Sequence, residues 1–171
     1  MFKDISNFNN IEDYLPILTA ILIVDIIVMI LSKSNIITSH YLRIWYKKFL
    51  LSAILADVLA ILLFVVIARA IYYYIFTTFT IINFIILMLI IQIIHDILFY
   101  IMFSLIPRGA NEMIDIFKDY ADEMSYNAII GDSLMVIAIG FLASYLANFN
   151  ANTNIILLTI FVYLLQYFLY S

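Results

Sequence analysis

Residues 49–106 read FLLSAILADVLAILLFVVIARAIYYYIFTTFTIINFIILMLIIQIIHDILFYIMFSLI, and within them only Asp57, Arg69, His95 and Asp96 are charged or imidazole side chains. An α-helix rising about 1.5 Å per residue crosses a hydrocarbon layer of about 30 Å with roughly 20 apolar residues. The stretch is long enough for two crossings, and a single helix through it would exceed fifty residues. Thr77 and Thr78 mark the break. The reading is therefore an antiparallel hairpin of spans, about 49–76 and 79–106, with Tyr72, Tyr73 and Tyr74 at the interface beside its turn.

Working outward, an apolar run over 15–31 is a first span and two further runs, 127–147 and 155–170, are a fourth and a fifth. The acids Asp4, Glu12 and Asp13 and the lack of a small-residue cleavage site after Leu31 make the first run a retained span rather than a leader. Segment 32–48 carries Lys33, His40, Arg43, Lys47 and Lys48 and reads as a surface loop ending in a basic anchor, with Trp45 and Tyr46 as headgroup-level rings. Pro107, Arg108 and Gly109 end the third span, because proline cannot continue a helical ladder. In 111–124, Met113, Ile116, Phe117, Tyr120 and Met124 repeat at helical spacing opposite Glu112, Asp115, Lys118, Asp119, Asp122 and Glu123. This segment is expected to lie along the membrane surface, with its acidic face toward a protein partner or the basic stretch 43–48. Arg108, Glu112, Asp115 and Asp119 are its candidate contacts to a partner or a lipid headgroup.

The fold expected is all-α: one transmembrane domain of about five helices, with one amphipathic interfacial helix between the third and fourth. Composition supports it. Of 171 residues, 67% are hydrophobic and 12% charged, against roughly half and a quarter in a soluble domain. Three glycines and two prolines suit long helices rather than a barrel of alternating strands. No cysteine is present, which excludes disulfides and thiolate chemistry, and a net charge of −4 gives no case for nucleic acid. No internal repeat is visible. The fourth span, dotted with Gly131, Ala138, Gly140, Ala143, Ser144 and Ala147, is expected to be the most buried helix, and the fifth, without ionisable side chains, to face lipid. Six of the eight Lys and Arg residues flank one face, which places the amino terminus outside and the carboxyl terminus in the cytoplasm.

A charge inside the bilayer costs roughly 2.5 to 3.5 kcal/mol on insertion scales, so each needs a reason. Asp25, Asp57, Asp96 and Asp132 all fall in the cytoplasmic half on this topology. Asp57 lies at the depth of His95 and Asp96 across the hairpin, Gln92 extends their stripe, and Ala53, Ala56 and Ala60 mark the Asp57 face as packed. Asp57, His95 and Asp96 are expected to meet in one pocket, with Asp25 and Asp132 at its cytoplasmic mouth, as a proton or cation pathway. The plainer alternative is that these acids are neutral or hydrogen-bonded and only specify packing. Arg69, twelve residues from Asp57 and so about 18 Å along the helix, is expected to snorkel among the tyrosines, stacking on Tyr72 or Tyr73.

Gly131-Asp132-Ser133-Leu134 spells a hydrolase motif, but no histidine follows it. His95-Asp96 spells a metal-phosphohydrolase motif without the further ligands. Two histidines give no dedicated transition-metal site, a hard cation on carboxylates remains open, and no cofactor is implied.

The stretch 92–154, with His95-Asp96, Phe99-Tyr100, Pro107-Arg108-Gly109, Asn111, Phe117, Tyr120 and Gly131-Asp132-Ser133, resembles uncharacterised small multi-span proteins of large DNA viruses that infect protists. The resemblance implies a viral or virion membrane and a viral protein or another copy as partner, with no mechanism. Three classes follow: a proton or cation pathway, an assembly protein of a viral membrane, and a lipid-headgroup enzyme using a divalent ion.

Overall fold

Local capping sets where each apolar run starts and stops being helical. The computed structural model describes residues 2–171 as seven α-helices: α1 Tyr14–Lys33, α2 His40–Phe49, α3 Leu51–Ile75, α4 Ile81–Leu105, α5 Glu112–Met124, α6 Tyr126–Leu146 and α7 Ala151–Leu169. Five of them, α1, α3, α4, α6 and α7, are long and apolar enough to cross a membrane, and the chain is a multi-pass helical membrane protein. The hairpin turn occupies 76–80, and Tyr72 organises it: its hydroxyl donates to Thr78 O at 3.1 Å and accepts from Thr80 N at 3.0 Å. Thr80 Oγ1 and Asn150 Oδ1 then accept amides of the first turns of α4 and α7.

Segment 32–48, expected to be a loop, contains a helix instead. Ser39 caps α2 by accepting from Leu42 N at 3.1 Å, and Leu42, Trp45, Tyr46 and Phe49 then fall at positions i, i+3, i+4 and i+7 of one face. Two single residues separate a short helix from a long apolar one: Leu50 (φ 49°, ψ −120°) between α2 and α3, and Ser125 (φ 50°, ψ −132°) between α5 and α6. Positive φ turns the chain sharply at both places.

Side-chain pairs fix the helix directions. Tyr46 reaches Asp25 in α1 and Trp45 reaches Asp57 in α3, while Arg69 near the end of α3 meets segment 7–13 before α1, so α1 and α3 are antiparallel. Gln92 meets Ser133 and Ile85 meets Gly140, so α4 and α6 are antiparallel too. Lys33 Nζ donates to Phe168 O at 2.6 Å and Leu169 O at 2.7 Å, which aligns the ends of α1 and α7. Helix α1 packs on α3, α6 and α7, while α4 packs on α3 and α6; α1, α3, α4 and α6 therefore close a four-helix ring with α7 leaning on α1 from outside.

The most buried span is α1, not α6: 67% of its apolar window lies inside the bundle against 33% for α6. The neighbours explain the difference: α1 is packed by α3, α6 and α7, and α6 by α1 and α4. Gly140, Ala143, Ser144 and Ala147 face inward, whereas Gly131 and Ala138 face outward. At Gly140 the α4 and α6 backbones approach so closely that an added Cβ would stand 2.6 Å from Ile85 Cγ1. Only 17% of the α7 window is buried.

Candidate functional site

The first polar cluster joins α1, α2 and α3. Asp25 is fully buried; its Oδ1 accepts from the Tyr46 hydroxyl at 3.1 Å, and its Oδ2 has no hydrogen-bond partner. Beside it Trp45 Nε1 donates to Asp57 Oδ2 at 3.0 Å. Trp45 and Tyr46, expected as headgroup anchors, are 3% and 2% exposed. The turn at Leu50 tucks α2 against the bundle, and the phenol O–H and indole N–H serve as donors to the buried Asp25 and the half-buried Asp57. Burial, and after it the Asp25 and Asp57 charges, push the Tyr46 hydroxyl well above the ordinary phenol value.

A second cluster joins α4 and α6. Gln92, fully buried, donates through Nε2 to Asp96 Oδ2 and accepts at Oε1 from Ser133 Oγ at 3.0 Å. His95 Nδ1 lies 3.2 Å from Asp96 Oδ1, and its ring stacks on Phe99 with centroids 5.6 Å apart. This pair is the more open one, His95 being 31% and Asp96 22% exposed. His95 also borders an apolar groove of about 570 Å³ between Ile67 of α3 and Ile91, Leu98 and Met102 of α4.

Hydrogen bonds thus place Asp57 with Trp45 and Asp96 with Gln92 and His95. Asp132 of α6 is within electrostatic reach of both Asp96 and Asp57. Over them lies Tyr120 of α5, whose hydroxyl is pushed above its ordinary value by burial and then by Asp132, Asp57, Glu123 and Asp96. Among the described residues no three His, Cys, Asp or Glu side chains converge as a metal-binding group.

Arg69 does not snorkel. It is 1% exposed, and its Nη2 donates to Asn7 O at 2.5 Å and Asn10 O at 2.6 Å. Asp13 Oδ2 lies 3.8 Å away, and the guanidinium sits 4.1 Å from the centroid of Tyr14, rather than over Tyr72 or Tyr73. Segment 2–13 folds across this end of the bundle, held also by Ser144 Oγ donating to Lys3 O at 2.6 Å and Tyr73 donating to Asp4 at 2.5 Å. Carbonyls delivered by the chain satisfy part of the guanidinium without water, which removes the reason to snorkel. Asp13 and Arg69, at matching ends of α1 and α3, were the available signal for this pair.

The α5 residues expected to contact partners are paired within the chain. Arg108 meets Asp119 at 2.8 Å, Asp115 accepts from Gly109 N at 2.8 Å, and Glu112 meets Lys48 at 2.5 Å. Glu123, expected only as part of the acidic face, caps α2: it accepts from Ser39 Oγ at 2.6 Å, His40 N at 2.7 Å and Tyr41 N at 3.1 Å. Its burial acts to raise the carboxyl, but these bonds outweigh that and hold it below its ordinary value. The apolar face of α5 packs on aromatic rings, Phe117 lying 4.4 Å from Trp45 and 5.3 Å from Phe99.

No family model, curated protein or solved structure matches this chain. Its function has to be read from the two acid clusters themselves.

Proposed function

We propose that the chain binds and moves protons through its intramembrane acids, as a proton or cation pathway whose residues are Asp25, Asp57, Gln92, His95, Asp96 and Asp132. The observation that carries this reading is Asp25: fully buried, with one oxygen bonded to Tyr46 and the other without a partner. A bare carboxylate oxygen in a dry interior is costly, and a proton bound there offsets the cost. Trp45 and Tyr46 orient the inner acids, and the more open His95 and Asp96 pair provides exchange with the outside of the bundle. At the other end Arg69 and segment 2–13 close the ring, so conduction requires that segment to move.

On this reading the amino terminus is external, the carboxyl terminus is cytoplasmic, and α5 lies with α2 at the cytoplasmic surface of a viral or host internal membrane. The bases concentrated around α2 and α5 support this orientation. Reporters fused at each terminus test it directly; both on one side would remove it. The function is tested by flux through reconstituted vesicles under a pH gradient. Flux in the natural protein that Asp25→Asn and Asp96→Asn abolish supports the pathway, and silence from a folded, correctly inserted protein refutes it.

A second reading, assembly in a viral membrane with another copy or a viral protein, is favoured by the large apolar outer faces of α4 and α7, whose windows are 28% and 17% buried. Crosslinking across these faces in membranes separates it from plain lipid contact.

A further inference from the structure

The order spanning helix, amphipathic helix, sharp turn, spanning helix occurs twice, as α1–α2–α3 and α4–α5–α6. Leu50 and Ser125 adopt nearly the same backbone conformation, φ 49° and ψ −120° against φ 50° and ψ −132°. Neither is glycine, and such a conformation is costly for a residue with a Cβ, so its recurrence at the same junction marks a shared architecture. Seven residues after each turn stands an aspartate, Asp57 and Asp132, and five residues before each stands an aromatic with a polar tip, Trp45 and Tyr120. Trp45 donates to Asp57, and Asp132 leads the charges that act on Tyr120. The preceding spans each carry an acid near the same depth, Asp25 eight residues before the end of α1 and Asp96 nine before the end of α4.

Exchanging the two units maps every contact of the ring onto another. The α1–α3 contact becomes α4–α6, α3–α4 becomes α6–α1, and α2–α5 becomes itself. This is the connectivity of an approximate two-fold axis along the membrane normal, passing between α2 and α5.

We infer that Asp57 and Asp132 are equivalent sites of a single proton-binding unit built on this axis, with Asp25 and Asp96 as their partners on the preceding spans and the α2–α5 pair as its cover. Ring contacts join the halves: Trp45 of α2 lies 4.4 Å from Phe117 of α5, and Phe64 of α3 lies 4.7 Å from His95 of α4, centroid to centroid. Asp132 is also within electrostatic reach of Asp57 as well as of Asp96. The units have diverged in access: Asp25 is sealed, while Asp96 and His95 are partly exposed. The ionisable groups facing the unit are Asp25 from α1, Tyr46 from α2, Asp57 from α3, His95 and Asp96 from α4, Tyr120 and Glu123 from α5 and Asp132 from α6; α7 brings no charged side chain.

The inference rests on the proton-binding reading above, and infrared titration of the full chain in lipid nanodiscs tests it through the carbonyl stretch of protonated carboxyl groups. Asp57→Asn and Asp132→Asn should each remove one band and move the midpoints of the remaining bands by about one pH unit, by similar amounts from either side, as groups sharing protons do. If Asp132→Asn leaves the Asp25 and Asp57 bands unmoved, the single unit is overturned. Should either variant fail to fold, Asp57→Glu and Asp132→Glu keep the titratable groups; their bands must still titrate together, and independent titration overturns the unit equally. Flux measured on the same variants reconstituted into vesicles separates the two claims. Coupled bands without flux retain the unit and remove the pathway, and flux with independent bands does the reverse.

Discussion

The Tyr46 hydroxyl donates to Asp25 Oδ1 at 3.1 Å, so a helix outside the spans supplies the donor for a fully buried carboxyl in the most enclosed one. Tyr46→Phe keeps the ring packing and deletes that donor. Leaving a buried acceptor unsatisfied costs about 1 to 3 kcal/mol, to be read as a lower unfolding midpoint in a denaturant series. Tyr41→Phe, at a half-buried position of the same helix, should leave the midpoint unchanged.

Arg69 and Asp13 close the opposite end. Breaking a buried ion pair by removing one partner costs roughly 3 to 5 kcal/mol, so Arg69→Met should destabilise the protein and accelerate amide exchange across 5–13. Adding Asp13→Asn to Arg69→Met should recover part of the stability, because the second change removes a buried carboxylate that would keep only the partly exposed Lys3, 3.4 Å away, as its counter-charge. Unchanged exchange in 5–13 would show that Ser144 and Tyr73 alone hold the segment.

Gly140 permits the close approach of α4 and α6. Gly140→Ala places a Cβ 2.6 Å from Ile85 Cγ1 and 2.9 Å from Met88 Cε, and overpacking of this kind costs about 1 to 3 kcal/mol. Gly131→Ala meets nothing within 4 Å and should stay within about 0.5 kcal/mol of the natural protein. Thermal unfolding of the two variants side by side checks the contrast.

The Glu123 clamp on α2 carries a pH signature. Its carboxyl is held below the ordinary value of 4.5, so its contribution to the folded state is complete above about pH 4.5 and disappears as pH falls through the lowered value. Amide exchange at His40 and Tyr41 should therefore be slow at pH 6 and, after correction for intrinsic rates, lose protection toward pH 3. Glu123→Gln should flatten that dependence.

The number of spans and the hairpin at 76–80 were legible from residue order. Apolar length and the insertion cost of a charge are local quantities, and they act on a helix before it meets any neighbour. The same reasoning marked Asp25, Asp57, Asp96 and Asp132 as unusual, and it set apart 111–124, where α5 forms.

Partnership was a matter for the tertiary structure. Which donor meets which acid depends on the turns at Leu50 and Ser125, and neither residue type announces a positive φ. The guanidinium of Arg69 is satisfied by carbonyls of Asn7 and Asn10, 62 and 59 residues away, which no pattern within α3 could specify. Burial of α1 above α6 followed from ring closure by α3 and α6 with α7 behind, a property of how helices surround one another. The composition of each helix says only that it must leave water; the directional bonds its few polar atoms require are chosen by the neighbours that packing brings within about 3 Å.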